Sequence, residues 1–264
     1  MRHMIKKLLD AIRSDDHQVV KDLLENTFTI DDLKKEKQNI LCSAAVFGKI
    51  QSVKLLLDMG YDANRIDDLT LAPPLVLAAS QGYCDIIKLL LSHQADPNIA
   101  DCDKVTALHL ACKRGDIEIV ELLLRHKANP NVENRYAATP LSHALFGSHQ
   151  NLNHEIEITK LLFQYGADVN YQDRHGLTVA MQATFFKNIP FLDYYINQQN
   201  ADLSLKNNKQ ETVFDLAQKN KTRDVENFLR NTVVFPRIQK SFHQNKHALT
   251  QKKRRSSLKL KRRF

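Results

Sequence analysis

Apolar residues recur along this chain in two alternating patterns, separated by short polar stretches. In the first, a leucine precedes an alanine by three residues: Leu41 and Ala44, Leu75 and Ala78, Leu108 and Ala111, Leu141 and Ala144. In the second, a leucine run begins eleven residues after the alanine, at Leu55-Leu56-Leu57, Leu89-Leu90-Leu91 and Leu122-Leu123-Leu124. The leucine anchors lie 34, 33 and 33 residues apart. A fixed period of that size marks a stack of repeated units, each too small to bury its own apolar face.

Within one period the spacing predicts two helices. Leu108, Ala111 and Cys112 share a face at i, i+3, i+4. Gly115-Asp116 ends that helix, the glycine through its permissive backbone and the aspartate as a candidate N-cap. Ile119, Val120, Leu122, Leu123 and Leu124 then make a second helix, apolar over more than half its surface. Such a helix needs cover on both sides, which stacked neighbours provide. The chain therefore reads as an all-α repeat solenoid of about seven helix-turn-helix units with atypical ends.

These units resemble the ankyrin repeat. The family's Thr-Pro-Leu-His-x-Ala opening stands here as Thr106-Ala107-Leu108-His109-Leu110-Ala111 and Thr139-Pro140-Leu141-Ser142-His143-Ala144. Its Gly-Ala-Asp-Val-Asn ending is intact at Gly166-Ala167-Asp168-Val169-Asn170. Looser copies are Tyr61-Asp62-Ala63-Asn64, Ala95-Asp96-Pro97-Asn98 and Ala128-Asn129-Pro130-Asn131. The resemblance implies short β-hairpin connections between units and a structural hydrogen bond for His109. It covers roughly residues 4–231, so residues 1–231 are expected to form an ankyrin repeat domain and 232–264 a basic C-terminal tail. The unit at residues 178–200 keeps the phase with Tyr194-Tyr195-Ile196 in place of the leucines.

Two interruptions break the period. Pro73-Pro74 adds a residue before Leu75, and Gly147 to His154 lengthens the loop between two helices of one unit. The glycine that ends the second helix at Gly60 and Gly166 is replaced by Gln94, Lys127 and, by the same phase, Asn200. If that position is left-handed, each replacement is strained.

Charge changes the picture at one end only. Residues 235–264 hold eleven Lys/Arg and no Asp/Glu, while the whole chain has 38 basic and 30 acidic side chains. The body therefore carries 27 basic against 30 acidic residues and is slightly acidic. No apolar run approaches the roughly 20 residues of a membrane span, and the N-terminus lacks the apolar core of a secretory signal. The four cysteines, Cys42, Cys84, Cys102 and Cys112, match no metal spacing and read as free thiols of a reducing compartment. No metalloprotease helix, phosphate loop or nucleophile elbow is present, so no catalytic residue, metal or cofactor is assigned. His93 and His126, a period apart, are one repeat position used twice.

Binding is better supported than catalysis, because such stacks present a long surface rather than a pocket. The resemblance implies a concave face lined by the exposed ends of the first helices and by the hairpin tips. In-phase alignment places Val46 and Phe47, Ser80 and Gln81, Lys113 and Arg114, Phe146, and Phe185 and Phe186 at those helix ends. The tips offer Asp67, Asp68, Asp101, Asp103, Lys104, Arg135, Tyr136, Arg174 and His175. Phenylalanines flanking a basic centre form a pattern suited to a protein partner. The reading is a monomeric, non-enzymatic scaffold or adaptor.

In the tail, Phe235, Ile238, Phe242 and Leu249 have helical spacing, and beyond about residue 250 the chain is expected to be disordered. Lys252, Lys253, Arg254 and Arg255, with Lys259, Lys261, Arg262 and Arg263, admit three readings: a signal for an import receptor, a contact with anionic lipid, or one with nucleic acid. Arg254-Arg255-Ser256-Ser257 resembles a basophilic kinase site, and the context of Asn170 resembles that in which ankyrin asparagines are hydroxylated. The expected location is cytoplasmic, extending to the nucleus if the tail is an import signal. The Lys/Asn/Gln-rich composition also resembles ankyrin effectors that intracellular bacteria deliver into host cells, the alternative reading.

Overall fold

The computed structural model describes residues 2–29, 32–33, 39–147, 152–198 and 201–234. Among them fourteen α-helices follow one another in seven pairs, and no residue lies in a β-strand. The chain forms two compact units, Met1–Arg174 and His175–Phe264. In the first unit α1 (Arg2–Ser14) pairs with α2 (His17–Asn26), and α3 (Ile40–Val46) with α4 (Ile50–Asp58). Next come α5 (Pro74–Gln81) with α6 (Cys84–Ser92) and α7 (Ala107–Arg114) with α8 (Ile117–Arg125). The last pair there is α9 (Pro140–Leu145) with α10 (Leu152–Gln164). The second unit pairs α11 (Val179–Phe185) with α12 (Ile189–Gln198), and α13 (Val213–Lys219) with α14 (Arg223–Leu229).

The two sequence patterns are the two sides of the first unit's core. Helices α3, α5, α7 and α9 lie side by side, and Ala44, Ala78, Ala111 and Ala144 have no exposed surface. Side chains this small let neighbouring helices approach closely. From the second helices Leu56, Leu90, Leu123 and Leu162 are also wholly buried. Each such leucine contributes about 2 kcal/mol through removal from water. In the second unit the core of α12 is Phe191, Leu192 and Tyr195, with the Phe191 and Tyr195 rings stacked at 5.8 Å. Of the expected Tyr194-Tyr195-Ile196 run, only Tyr195 is fully inside. The i, i+4 pair faces the core, and consecutive positions cannot all do so.

The connections are turns rather than the expected β-hairpins. Each tip closes with two backbone bonds: Asp67 N–H to Ala72 O with Leu71 N–H to Asp67 O, Asp101 N–H to Val105 O with Lys104 N–H to Asp101 O, and Asn134 N–H to Ala138 O with Ala137 N–H to Asn134 O. Other tip amides go to side chains instead of to a strand partner. Asp101 accepts from the N–H groups of Asp103 and Val105, and Asn134 Oδ1 from those of Tyr136 and Ala138. A ladder needs successive backbone pairs, and the side chains have already taken the donors.

The first interruption of the period also lies elsewhere than expected. Pro73 takes the N-cap place that Thr106 and Thr139 hold in later repeats, and Pro74 begins α5. The extra residue belongs to the tip between Asp67 and Leu71, which is one longer than Asp101–Lys104. The second interruption leaves α9 only 6 residues long and α10 13, with 148–151 outside the described residues. Also outside them are Asn200, the anticipated helix at Phe235–Leu249 and the whole basic cluster.

Asparagines tie consecutive repeats together. Asn98 Nδ2 donates to Lys127 O at 3.2 Å, while its Oδ1 accepts from the Asn129 N–H at 2.8 Å. Asn64 does the same for Gln94 and Asp96, and Asn131 for Gly166 and Asp168. The carbonyls they hold belong to the residues that end α6, α8 and α10 in the left-handed conformation. Gln94 and Lys127 stand at φ 64° and 67°, Gly166 at 87°. A Cβ added at Gly60 or Gly166 would meet nothing within 4 Å, so only the backbone conformation distinguishes glycine there. Lys127→Gly is expected to stabilise the protein by about 0.5–1 kcal/mol, the left-handed strain exceeding glycine's entropy cost. Thermal denaturation checks this by a melting temperature raised by about 2–4 °C.

Candidate functional site

In the first unit the first helices of successive repeats lie side by side, and the residues at their ends are where the repeats differ. Phe47 follows α3, Gln81 ends α5, Lys113 and Arg114 end α7, and Phe146 follows α9. In the second unit Phe185 and Phe186 stand at the end of α11. Phe47, Phe146, Phe185 and Phe186 are 42, 47, 46 and 53 % exposed. The rings lie on the surface and are not absorbed by the outer repeats. Exposed aromatics cost solubility without adding to the core, which makes them candidates for a partner's surface.

The basic centre divides into two kinds of residue. Lys113 and Arg114 are both exposed, but Arg114 is tethered: its Nε donates to Asp116 at 2.6 Å and a terminal nitrogen to Ser80 O at 3.3 Å. That engagement explains two local facts. Asp116 sits at the N-cap of α8 without making a cap bond, because its carboxylate serves Arg114. Gly82, at φ 80°, lies so close under the guanidinium that a Cβ there would collide with it.

The tips divide likewise. Asp101 and Asp67 are structural, and their carboxylates hold the turns they begin. Asp67 is buried and accepts from the N–H groups of Asn39, Leu69 and Thr70 at 2.6, 3.2 and 2.7 Å. Lys104, Arg135, Tyr136 and Arg174 are exposed, and Arg174 lies over the Tyr136 ring at 5.6 Å. Arg135 pairs with Asp103 at 3.6 Å, and its N–H donates to Asp103 O, which joins neighbouring tips. In the second unit His175 is exposed and lines a cavity of about 390 Å³ with Phe185, Leu177, Lys209 and Lys219.

Beneath the first unit's surface lies a buried histidine, His109, with the half-buried His143 against it. His109 Nδ1 is 3.2 Å from the Thr106 N–H and 2.9 Å from its hydroxyl. A backbone N–H can only donate, so Nδ1 accepts and Nε2 carries the proton given to Ala138 O at 3.0 Å. The His143 ring meets that of His109 edge-on at 4.9 Å, and its Nε2 accepts from the Asn134 amide at 3.1 Å. Burial lowers both pKa values to about 4, with Lys113 and His109 adding to the effect at His143. His93 and His126, the repeated position, each place Nδ1 about 3 Å from the carbonyl four residues back, capping α6 and α8.

Reactive chemistry is not assembled. None of the four cysteines is in a disulfide, and burial drives the thiols of Cys42 and Cys112 well above the ordinary range, where they stay protonated. Among the described residues no three His, Cys, Asp or Glu are grouped to hold a metal, and no helix is long and apolar enough to cross a membrane.

Some surface residues escaped the pattern analysis. Leu69 and Leu71 on the lengthened tip are 66 and 50 % exposed, and Arg13 lies over the Phe47 ring at 5.4 Å. The available signal was the pair of leucines in Asp67-Asp68-Leu69-Thr70-Leu71, where every other tip is polar, aromatic or small.

A family model of ankyrin repeats in three copies matches residues 8–101 and again 75–173, more than half the chain. The chain belongs to the ankyrin repeat family. An E3 ubiquitin-protein ligase of Caenorhabditis elegans, hecd-1, is 34% identical over 104 residues, 39% of this chain and 4% of that one. Cyclin-dependent kinase 4 inhibitor B of Bos taurus is 39% identical over 61 residues, 23% of this chain and 45% of its own length. Protein phosphatase 1 regulatory subunit 27 of Mus musculus is 34% identical over 96 residues, 36% and 62% of the two chains. The chain thus spans less than two thirds of each of these relatives, and what it shares with them is the repeats. Ankyrin repeats are a protein-interaction module, carried by enzymes only as part of larger chains, and this ankyrin protein has that general role.

Proposed function

We propose that this ankyrin protein is a non-enzymatic adaptor or regulator that binds a protein partner through its first-helix ends and turn tips. The observation that carries the reading is the exposure of Phe47, Lys113 and Phe146 at first-helix ends of the first unit, and of Phe185 and Phe186 at the equivalent place in the second. In the first unit Gln81, Lys104, Arg135, Tyr136 and Arg174 extend the surface, while Asp101 and Arg114 shape it through their own turn and helix contacts; in the second, His175 lies with Phe185. Two relatives named as an inhibitor of a kinase and a regulatory subunit of a phosphatase support a partner that is itself an enzyme.

The basic tail, eleven Lys/Arg without a carboxylate in residues 235–264, serves location in this reading. The slightly acidic body and the strongly basic end divide the chain into a recognition part and an addressing part. Host delivery by a bacterium remains the alternative setting for the same adaptor chemistry.

The test is an affinity capture from eukaryotic lysate with three baits: the whole chain, residues 1–231, and a Phe47/Lys113/Phe146 alanine variant. A partner held by the first two baits and lost from the third is the expected result. Because all three substituted side chains are exposed, the variant should melt within about 1 kcal/mol of the parent. A partner lost only with residues 232–264 moves the function to the tail and overturns the proposal.

A further inference from the structure

Three departures from the repeat pattern meet at one place in the first unit. The turn between α4 and α5 is a residue longer than its counterparts and exposes Leu69 and Leu71. At its left-handed position, φ 53°, stands Leu71, where the other turns carry Lys104, Ala137, Gly176 or Gln210. A branched apolar residue is strained there, and burial offsets the strain only in part, since half of Leu71's surface stays in water. The neighbouring helix end presents Phe47, the position that Gln81 fills one repeat later.

Between these elements runs a groove of about 180 Å³, walled by Val46, Phe47, Leu69, Thr70 and Leu77. Its volume suits one large apolar side chain rather than a small-molecule ligand, whose sites are larger. Its lining holds one charged group of each sign. Arg13 lies on the wall above the Phe47 ring, while the Asp67 carboxylate is buried and already accepts from three backbone N–H groups. The Cys42 thiol in the wall stays protonated and adds no charge. Arg13 also lies 3.8 Å from Asp10 in a solvent-exposed and therefore weak ion pair, so its guanidinium is the charge in the wall that an arriving carboxylate can meet.

We infer that this groove is the anchor point for a partner protein segment carrying a bulky aliphatic or aromatic side chain with a carboxylate a few residues away. The apolar side chain enters between Phe47 and Leu69, and the carboxylate pairs with Arg13. This deepens the proposed adaptor function and rests on it. Hot spots of interfaces have this composition, an aromatic wall with an arginine beside it. The charged pair sets which segments bind and how fast, and the apolar contact sets how long they stay.

The probe is a phage-displayed library of random peptides about twelve residues long, panned on the full-length chain. The expected enriched sequences share Leu, Ile, Met or Phe with Asp or Glu within about four residues. Peptides synthesised from them are expected to bind about tenfold more weakly to Leu69→Ser. With Arg13→Gln they lose about threefold and most of their salt dependence, and with Tyr165→Ala, an exposed ring outside both the groove and the proposed partner surface, they bind unchanged. Leu69 is two-thirds exposed, so its serine variant keeps the fold, which an unaltered melting curve verifies.

Basic or uncharged enriched sequences, or binding indifferent to Leu69→Ser, overturn the inference. So does a library that yields no enrichment. Peptides that lose affinity only with Phe146→Ala overturn the groove but leave the adaptor reading standing on the other surface. Light scattering that shows a dimer of the chain, abolished by Leu69→Ser, replaces the partner segment with a second copy and also overturns it.

Discussion

Acidification from pH 7 to pH 5 is expected to remove about 3–4 kcal/mol of stability, most of it through the buried His109 and the half-buried His143. His109 and His143 have pKa values lowered to about 4, against 6.5 for the free side chain, with burial as the first cause. In the window between those values the unfolded chain takes up protons that the folded chain refuses. Stability is therefore complete above about pH 6.5 and falls as the pH drops towards 4. Each histidine contributes about 2 kcal/mol of the loss at pH 5, and the two are less than additive because each ring is the other's neighbour.

The geometry gives the same sign. Protonating His109 would turn Nδ1 into a donor facing the donor N–H of Thr106, and protonating His143 Nε2 would oppose the Asn134 amide. The Asp101 charge favours the His109 cation and Lys113 disfavours that of His143, but burial outweighs both. Chemical denaturation at a series of pH values checks the slope. A His109→Gln/His143→Gln protein should be less stable at pH 7 and show a markedly flatter profile between pH 6.5 and 5. An unchanged slope would mean that other groups carry it.

Replacing Asp67 by alanine is the second large effect, a loss of about 3 kcal/mol. The carboxylate gathers three backbone donors from two parts of the chain: Asn39, which caps α3, and Leu69 and Thr70 in the turn. The Asn39 N–H is buried in the core side of that turn and has no water to fall back on. An unpaired buried donor costs about 1–3 kcal/mol, and the lengthened turn loses its tie as well. Asp67→Asn should recover part of the loss, since an amide oxygen still accepts. Urea denaturation of the three proteins gives the order wild type, asparagine, alanine. A loss below about 1 kcal/mol in the alanine variant would show that the turn is held elsewhere.

Leu69 and Lys127 show how differently the sequence discloses its parts. Lys127 was legible: it stands in the phase of Gly60 and Gly166, and its φ of 67° is what that phase demands. The helix pairs, the alanine seam and the His109 bond were legible for the same reason. A repeat supplies several aligned copies of one local rule, so each copy tests the others. The extra residue after Asp67 shows the limit. Counting places it anywhere between two anchors, and only the bond from Asp67 N–H to Ala72 O fixes it in the turn.

By itself the sequence determined the stack, the period, the left-handed helix ends and the division of charge between body and tail. Each of these depends on residues near one another in the chain or one period apart. Only the tertiary structure decided which surface residues are available. Arg114 and Lys113 are adjacent, basic and both exposed, yet Arg114 is held in place by Asp116 and by Ser80 of the preceding repeat. Asp67 and Leu69 share a turn, yet the carboxylate is inside and the leucine outside. That outcome is set by what neighbouring repeats bring within hydrogen-bonding distance, about thirty residues away in sequence, and no pattern along the chain encodes it.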